Sequence, residues 1–288
     1  MKRVLPLAFL AACAGGDPTK DDTDSSGGLP HKVFVIGVDG LRPDALAAAN
    51  TPNLDALFER GVLALDAHTH AQGVTLSGPG WASVLTGVEV EDHGVESNDD
   101  LGSISPDWPS FLSRVRAAGR STAAVFDWVG ILPLVGPDAT DAMDQGTDEA
   151  VGAALVTRIE SGEFDLVFSH FDSVDHAGHS SGFSADNPEY IAAIEGVDAD
   201  VAGAIDAVTA DAENADWLVA LVTDHGGLGT GHEEPSVDTQ TIPVGVVGGG
   251  LPAGGDAPSD ANHMDVAPTA LDWLGVPYED LDGKSWLL

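Results

Sequence analysis

The sequence predicts an α/β fold with a mostly parallel central sheet and helices on both of its faces. Two observations predict it: apolar runs recur five times along the chain, and stretches with apolar residues at helical spacing separate them. A continuous apolar run is typical of a strand that is covered on both faces. Regular alternation of such strands with helices is typical of a parallel sheet. We expect a small or absent cap domain, because little of the 288 residues remains after these elements.

The predicted strands are short, and three of them end in acidic residues: Asp39, Asp175 and Asp224. The first, Val33–Val38, is rich in β-branched residues, and Asp39 and Gly40 follow it at once. The fourth, Trp217–Thr223, is followed at once by Asp224. The five predicted strands are Val33–Val38, Ser121–Phe126, Phe164–Phe171, Trp217–Thr223 and Ile242–Val247.

The predicted helices carry recognisable start and stop signals. Thr51–Gly61 has a cap residue, a proline in its first turn and a terminal glycine, which indicates a short helix. In Thr75–Gly87, small and polar residues precede Pro79 and an apolar periodic run follows it, so a loop turns into a helix there. The remaining predicted helices are Trp108–Ala118, Pro188–Ala210 and Val266–Leu274.

Ser77 lies just ahead of the predicted helix that ends near Gly87. Backbone N–H groups and the positive end of the helix dipole favour an anionic ligand or an ionised side chain at such a position. A serine alkoxide is a group of this kind. Ser77 also suits a purely structural role as an N-cap, since serine is a preferred cap residue.

The charge of the chain excludes one class of partner. The formal net charge is −36, and Lys and Arg together number only 11. A surface this acidic repels nucleic acid polymers and anionic membrane surfaces. We therefore exclude nucleic acid binding. The hydrophobic content of 43 % is enough for a sizeable core.

The N-terminus predicts a secreted, lipid-anchored protein. Lys2 and Arg3 precede an apolar run that is too short to span a bilayer, and the run closes on Leu10-Ala11-Ala12-Cys13, which resembles a bacterial lipobox. We therefore divide the chain into a signal segment (1–13), a disordered acidic tether (14–30) and a catalytic domain (31–288). The resulting location is the periplasm or the cell surface of a bacterium.

We predict that the mature protein begins at a lipidated Cys13. It is the single cysteine of the chain, so an intrachain disulfide is excluded and a reserved role is plausible. Stable anchoring requires two acyl signals or more, because one chain binds a membrane only marginally. Mass spectrometry of the native N-terminus checks this. An unmodified Cys13 in a mature chain would contradict the anchor.

Three acidic residues near strand ends indicate a metal site. Asp39, Asp175 and Asp224 follow predicted strands, and ligands gather at the carboxyl ends of the strands of a parallel sheet. Carboxylates brought together there repel each other unless a cation lies between them. Histidines accompany two of the three. Mixed Asp and His ligation suits zinc, with manganese or iron as further candidates. Asp175 and His179 are four residues apart, which places both on one face if the segment is helical.

Five short segments follow one another in a characteristic order. They are Val38–Asp44, Ser77–Gly87, His93–Asn98, Asp175–His179 and Thr223–Gly226. In this order they resemble the alkaline phosphatase superfamily, and most of all its nucleotide pyrophosphatase/phosphodiesterase branch. Each segment alone is a weak signal, but all five together make a strong one, and the resemblance covers nearly all of 31–288.

The resemblance implies two divalent metal ions, most suitably zinc, and a serine nucleophile. One metal site would consist of Asp39, Ser77, Asp224 and His225. The other would consist of Asp175, His179 and a later histidine.

Two histidines compete for the last ligand position. His232 follows the Asp-His-Gly turn and precedes the Ile242 strand, which is where similar proteins have their final histidine. His263 directly precedes the predicted helix Val266–Leu274, a segment that is structural in relatives. We therefore expect His232 to be the ligand.

The implied activity is hydrolysis of small phosphate esters through a phosphoserine intermediate, of the phosphodiesterase or nucleotide pyrophosphatase type. Asn98 matches an asparagine whose amide would donate to a phosphoryl oxygen, although a turn role also suits it. A phosphomonoesterase of the same fold is an alternative, and so is a sulfatase, although sulfatases need an arginine where this chain has Trp81. A non-catalytic, lipid-anchored binding protein is the alternative from another class.

Overall fold

The computed structural model describes residues 28–69, 75–136 and 141–287. The predicted signal segment 1–13, including Cys13, and most of the tether 14–30 lie outside these residues. Seven strands of the described part form one sheet in the order β2-β7-β6-β1-β5-β3-β4. They are β1 (His31–Val38), β2 (Val62–His68), β3 (Thr122–Phe126), β4 (Asp141–Asp144), β5 (Leu166–Phe171), β6 (Asp216–Val222) and β7 (Thr241–Val247).

The centre of the sheet is parallel, as predicted. β1 pairs in parallel with β5 and with β6, and β3 pairs in parallel with β5 and with β4. At the other edge, β7 runs antiparallel to both β6 and β2. In β1, Val33 lies opposite Leu166 on one side and Leu218 on the other. All three side chains are buried, because both faces of the sheet are covered.

Helices cover the two faces of the sheet, and a hydrophobic core lies on each. The described helices are α1 (Pro43–Ala48), α2 (Pro52–Phe58), α3 (Ser77–Thr86), α4 (Val90–His93), α5 (Phe111–Ala117), α6 (Ile131–Val135), α7 (Asp148–Ser161), α8 (Ser173–Ser181), α9 (Pro188–Ala210), α10 (Val237–Gln240) and α11 (Val266–Leu274). One core includes Trp81, Phe111, Ile131 and Leu271, so α3, α5, α6 and α11 pack on that face. The opposite core includes residues of α1, α2, α7, α8 and α9.

Several elements differ from the sequence-based prediction. All five predicted strands are present with ends shifted by two residues at most, but β2 and β4 were not predicted. The helix predicted from Trp108 begins at Phe111, because the Ser110 hydroxyl accepts a hydrogen bond from the Ser113 amide and caps it. α3 begins at Ser77 itself, whereas we expected that residue just ahead of the helix. Helices α1, α4, α6, α7 and α10 were not predicted.

Within the described ranges, we find no helix whose length and apolarity would let it cross a bilayer.

The sheet order brings the predicted site residues to one edge. β6, β1 and β5 are neighbours and run in the same direction, so their carboxyl ends lie side by side. Asp39 follows β1, Asp224 follows β6, and Asp175 lies in the first turn of α8, directly after β5. Three residues that are distant in the sequence therefore meet at the carboxyl edge of the sheet.

Candidate metal centre

Asp39 and Asp224 are held together by the turn after β1. The Asp39 amide continues the sheet by donating to the Phe171 carbonyl at 2.9 Å. Gly40 then adopts a positive φ of 66°, and its amide donates to Asp224 Oδ1 at 3.2 Å. A β-carbon on Gly40 would lie 2.8 Å from Asp175 Oδ1. A glycine is therefore needed both for the turn and for the close approach of Asp175.

Two more glycines allow side chains to approach the first turn of α3 directly. A β-carbon on Gly78 would lie 2.9 Å from Asn98 Oδ1, and one on Gly80 would lie 2.8 Å from the Asp224 β-carbon. The Gly78 amide donates to Asn98 Oδ1 at 2.7 Å. Asn98 and Asp224 thus both closely approach the first turn of the helix that begins at Ser77.

Ser77, Asp39, Asp224 and His225 come together at the start of α3. Ser77 Oγ lies 3.5 Å from Asp39 Oδ1 and 3.3 Å from His225 Nε2. His225 Nε2 lies 3.5 Å from Asp39 Oδ1 and 3.3 Å from Asp224 Oδ2. All four side chains are buried. The structure brings together the whole residue set predicted for the first metal site.

Asp175, His179 and His232 form a second group beside the first. His179 Nε2 lies 3.4 Å from Asp175 Oδ2 and 3.0 Å from His232 Nε2. His232 Nε2 lies 3.8 Å from Asp175 Oδ1. The segment Ser173–Ser181 is helical, so Asp175 and His179 share a face as the spacing predicted. The His232 ring stacks on the His225 ring at 3.6 Å between centroids, which makes the two groups neighbours.

Three groups of described residues have donor atoms close enough to share one cation. Asp175, His179 and His232 form one of them. Asp39, Asp175 and His225 form another, and Asp39, His170 and Asp172 form the third. His263 belongs to none of these groups and is buried at the start of the turn His263–Asp265. The geometry favours His232 over His263, and its role as a ligand stays a prediction.

The carboxylates of these groups fit a cation. Asp175 Oδ1 and Asp224 Oδ2 are buried and accept no hydrogen bond from the described residues. Burial, together with the charge of Asp39, raises the pKa of Asp175 to about 9 and raises the pKa of Asp224 well above its usual range. Buried carboxylate oxygens without a donor are costly. A divalent ion between them would supply the missing positive charge.

The histidines of the groups fit a metal as neutral ligands. Burial and the neighbouring His232 together lower the pKa of His225 to about 3. Burial also lowers the pKa of His232. His232 Nδ1 contacts the Thr75 carbonyl and His225 Nδ1 contacts the Gly226 carbonyl at 2.8 Å. These contacts place the proton on Nδ1 and leave each Nε2 free for a cation, an arrangement typical of histidine ligands.

Two residues of the site were missed by the sequence analysis. His170 and Trp81 were not among the predicted site residues, but both contact Asp39. Trp81 Nε1 donates to Asp39 Oδ2 at 2.8 Å, and His170 Nε2 lies 3.1 Å from the same oxygen. One signal could have found His170: it lies in β5, the neighbour of β1, and pairs with Gly37 two residues before Asp39.

Two family models match the chain. The model of Type I phosphodiesterase / nucleotide pyrophosphatase matches residues 33–111, which include Asp39, Ser77 and Asn98. The model of the metalloenzyme superfamily matches residues 138–278, which include the second group.

A curated relative and two solved structures extend these matches. A 2,3-bisphosphoglycerate-independent phosphoglycerate mutase of Methanosarcina acetivorans is 32 % identical over 141 residues, 46 % of this chain and 25 % of the mutase. The matched part of the chain thus spans about a quarter of that relative. The murine ectonucleotide pyrophosphatase / phosphodiesterase 5 in complex with AMP has a TM-score of 0.69 at 14 % identity, over 88 % of this chain and 97 % of that chain. A 2-O GAG sulfatase has a TM-score of 0.68 at 16 % identity, over 90 % and 73 % of the two chains.

The fold places a serine at the start of a helix beside the carboxyl edge of the sheet. The chain is similar to the Type I phosphodiesterase / nucleotide pyrophosphatase family in its first part and to the metalloenzyme superfamily in its second part, and both matches agree with the resemblance to the alkaline phosphatase superfamily. The fold of the structural neighbours is the fold observed here.

Proposed function

We propose that the protein is a divalent-metal-dependent hydrolase of phosphate esters, of the phosphodiesterase or nucleotide pyrophosphatase type. One observation carries the proposal: a serine at a helix N-terminus lies 3.3 Å from His225 and 3.5 Å from Asp39, next to a second Asp/His group. Asp39, Ser77, Asp224 and His225 would hold one ion, and Asp175, His179 and His232 the other. The phosphodiesterase family match and the AMP in the murine neighbour support this substrate class.

Ser77 is the proposed nucleophile. When bound, divalent ions at these two groups would stabilise a serine alkoxide and the charged phosphoryl oxygens. Ser77 Oγ attacks phosphorus, the bond to the leaving alkoxide breaks, and a phosphoserine ester remains. Water then cleaves this ester and releases phosphate or a monoester. The N-terminus of α3 stabilises the negative charge that develops at Ser77.

Asn98 is the proposed donor to a phosphoryl oxygen. Its side-chain oxygen accepts from the Gly78 amide at 2.7 Å, which fixes the orientation of the amide group beside Ser77. Its nitrogen is then available to donate to a phosphoryl oxygen as that oxygen gains charge.

The cationic side chain nearest to a proposed ligand in the sequence makes its contacts outside the candidate metal centre. Arg42, the one nearest a proposed ligand in sequence, donates to both oxygens of Asp44 at 2.9 Å, to Asp238 at 3.0 Å and to the Gly227 carbonyl at 2.6 Å. The three groups that could hold a cation contain only Asp and His. A monoester dianion brings one more negative charge than a diester and needs an additional cation. This favours diesters as substrates.

We predict that a diester is turned over at least roughly tenfold more efficiently than the matching monoester, because one charge-assisted hydrogen bond is worth about 1.5–3 kcal/mol. The measurement compares kcat/KM for bis-nitrophenyl phosphate and nitrophenyl phosphate at matched zinc and ionic strength. Arg42→Gln is the control, and this variant should keep the same ratio of kcat/KM between the diester and the monoester as the wild type. A clear preference for the monoester would instead assign a phosphomonoesterase.

A sulfatase is the second candidate function. The observation that favours it is the similarity of this fold to the fold of the 2-O GAG sulfatase. Trp81 stands against it, because it occupies the position where the sulfatase pattern has an arginine. Nitrophenyl sulfate in the same assay decides between the two. We further propose that the protein works outside the cytoplasm on a lipid anchor at Cys13.

A further inference from the structure

The two oxygens of the Asp39 carboxylate face different surroundings. Oδ1 faces the candidate metal centre, at 3.5 Å from both Ser77 Oγ and His225 Nε2. Oδ2 faces the protein interior, where Trp81 Nε1 lies at 2.8 Å and His170 Nε2 at 3.1 Å. Two interior side chains thus contact Oδ2. Oδ1 makes its contacts with the residues of the candidate metal centre.

This arrangement is deeply buried. The side chains of Asp39, Trp81 and His170 are at most 1 % exposed. The Trp81 ring meets the His170 ring edge to face at 4.9 Å and the Phe168 ring at 5.9 Å. Gly37 leaves room for this packing, because a β-carbon there would lie 2.8 Å from the Trp81 ring and 2.6 Å from the Ser169 carbonyl oxygen. Hydrogen bonds in such a dry environment are strong and hold their geometry.

His170 can act only as a donor to Asp39 in this arrangement. Its Nδ1 is buried and has no hydrogen-bond partner among the described residues. A buried N–H without an acceptor is costly, so the proton belongs on Nε2, which faces the carboxylate. The Nε2–H of His170 therefore donates to Asp39 Oδ2, the same oxygen that accepts from Trp81 Nε1.

Trp81 also connects Asp39 to the proposed nucleophile. Ser77 and Trp81 are four residues apart in α3, so they lie on the same face of that helix. The indole hydrogen bond therefore joins the helix that carries Ser77 to the strand end that carries Asp39. Movement of the helix relative to the sheet would break this bond.

We propose that Trp81 and His170 are positioning residues of the metal centre: together they hold Asp39 so that it binds its metal through Oδ1 alone, and Trp81 holds the Ser77 helix in register with that ligand. This inference rests on the proposed function for the identity of the site. Partners that orient metal ligands typically contribute 10–100-fold in metal affinity.

Zinc affinity of the full-length protein tests the proposal. It is measured by competition with a chromophoric chelator in a His179→Ala background, which removes a ligand of the second group and isolates the Asp39 group. Trp81→Phe keeps the ring and removes the N–H, and His170→Leu removes the ring nitrogens. Each is expected to lower zinc affinity about 10–100-fold. His170→Gln, which restores a donor near the Nε2 position, should recover most of the loss.

A matched control separates this effect from the loss of any indole hydrogen bond. Trp273 Nε1 donates to the Lys32 carbonyl at 3.1 Å, at the opposite end of β1. Trp273→Phe should leave zinc affinity within about twofold of its background. In the zinc-saturated enzyme without the His179 change, Trp81→Phe should lower kcat and kcat/KM equally, as expected for a misplaced nucleophile.

The outcomes distinguish this inference from the proposed function. Unchanged zinc affinity in both Trp81→Phe and His170→Leu, or an equal loss in Trp273→Phe, overturns the positioning role even if the wild type hydrolyses esters. A wild type that binds zinc but hydrolyses no ester, with affinity lost in the two variants as expected, overturns the function and supports the positioning role. A wild type that binds no zinc contradicts both.

Discussion

Replacing Ser77 by Ala is expected to lower turnover of phosphate esters by at least about 10⁴-fold, because loss of a nucleophile removes the covalent route altogether. Zinc binding should persist. Ser77 contributes a single oxygen, while the other proposed ligands, three carboxylates and three histidines, are unchanged. The measurements are single-turnover hydrolysis of a nitrophenyl diester and the zinc content of the same preparation.

Ser83→Ala is the matched control for this experiment. Ser83 lies in the same helix and is buried, and its hydroxyl contacts His93 Nε2 at 3.0 Å. Ser83→Ala therefore controls for the loss of stability that removing a buried hydroxyl from this helix causes. Its turnover should stay within a few fold of the wild-type value. Wild-type hydrolysis in Ser77→Ala would show that the nucleophile is another group. Loss of zinc in Ser77→Ala would show that the serine is mainly a structural ligand.

Replacing Asp224 by Asn is expected to remove one metal ion and to lower activity by about 10³-fold or more, because electrostatic stabilisation at the reacting centre is lost. Asn keeps the size of the side chain and can still accept from the Gly40 amide, as Asp224 Oδ1 does at 3.2 Å. It removes the negative charge at Oδ2, the buried oxygen without a hydrogen-bond donor. Elemental analysis should give half of the wild-type zinc content.

Asp198→Asn is the control for this second variant. Asp198 is also buried, but it accepts from the Asn53 and Leu54 amides at 3.1 and 2.8 Å and belongs to none of the groups that could hold a cation. Its replacement should reduce stability and leave zinc content unchanged. An unchanged zinc content in Asp224→Asn would contradict the proposed ligand set, and a loss of zinc in both variants would indicate general unfolding.

The parallel core of the fold could be predicted from the sequence because its strands are continuous apolar runs. The runs Val33–Val38 and Trp217–Val222 are buried on both faces and therefore contain no polar residue. β2 could not be predicted in this way. It is an edge strand with only its β7 neighbour, its pairing shifts between Ala64 and Ala67, and its exposed residues include Leu63 and Leu65. Its pattern is thus neither continuous nor alternating.

The site residues that directly follow strands could be predicted from the sequence. Those that reach the site through side-chain contacts between a helix and a strand, or between two strands, could not. Asp39 and Asp224 follow strands that pair with each other, so pattern and sheet geometry together bring them close. Trp81 reads as a core residue, since nothing in the sequence shows that its N–H meets a carboxylate 42 residues away. His170 is likewise surrounded by apolar strand residues and resembles a structural histidine.

The glycines at the start of α3 have a consequence for how the protein folds. Glycine is about 1 kcal/mol less favourable than alanine in a helix interior, so Gly78 and Gly80 give this turn little tendency to form by itself. What they permit is direct contact with Asn98 and Asp224, which come from other parts of the chain. We expect the turn to become ordered only together with those partners. Assembly of the candidate metal centre and completion of this helix would then be one cooperative event, so amide hydrogen exchange at Gly78 to Trp81 would report on the integrity of the centre.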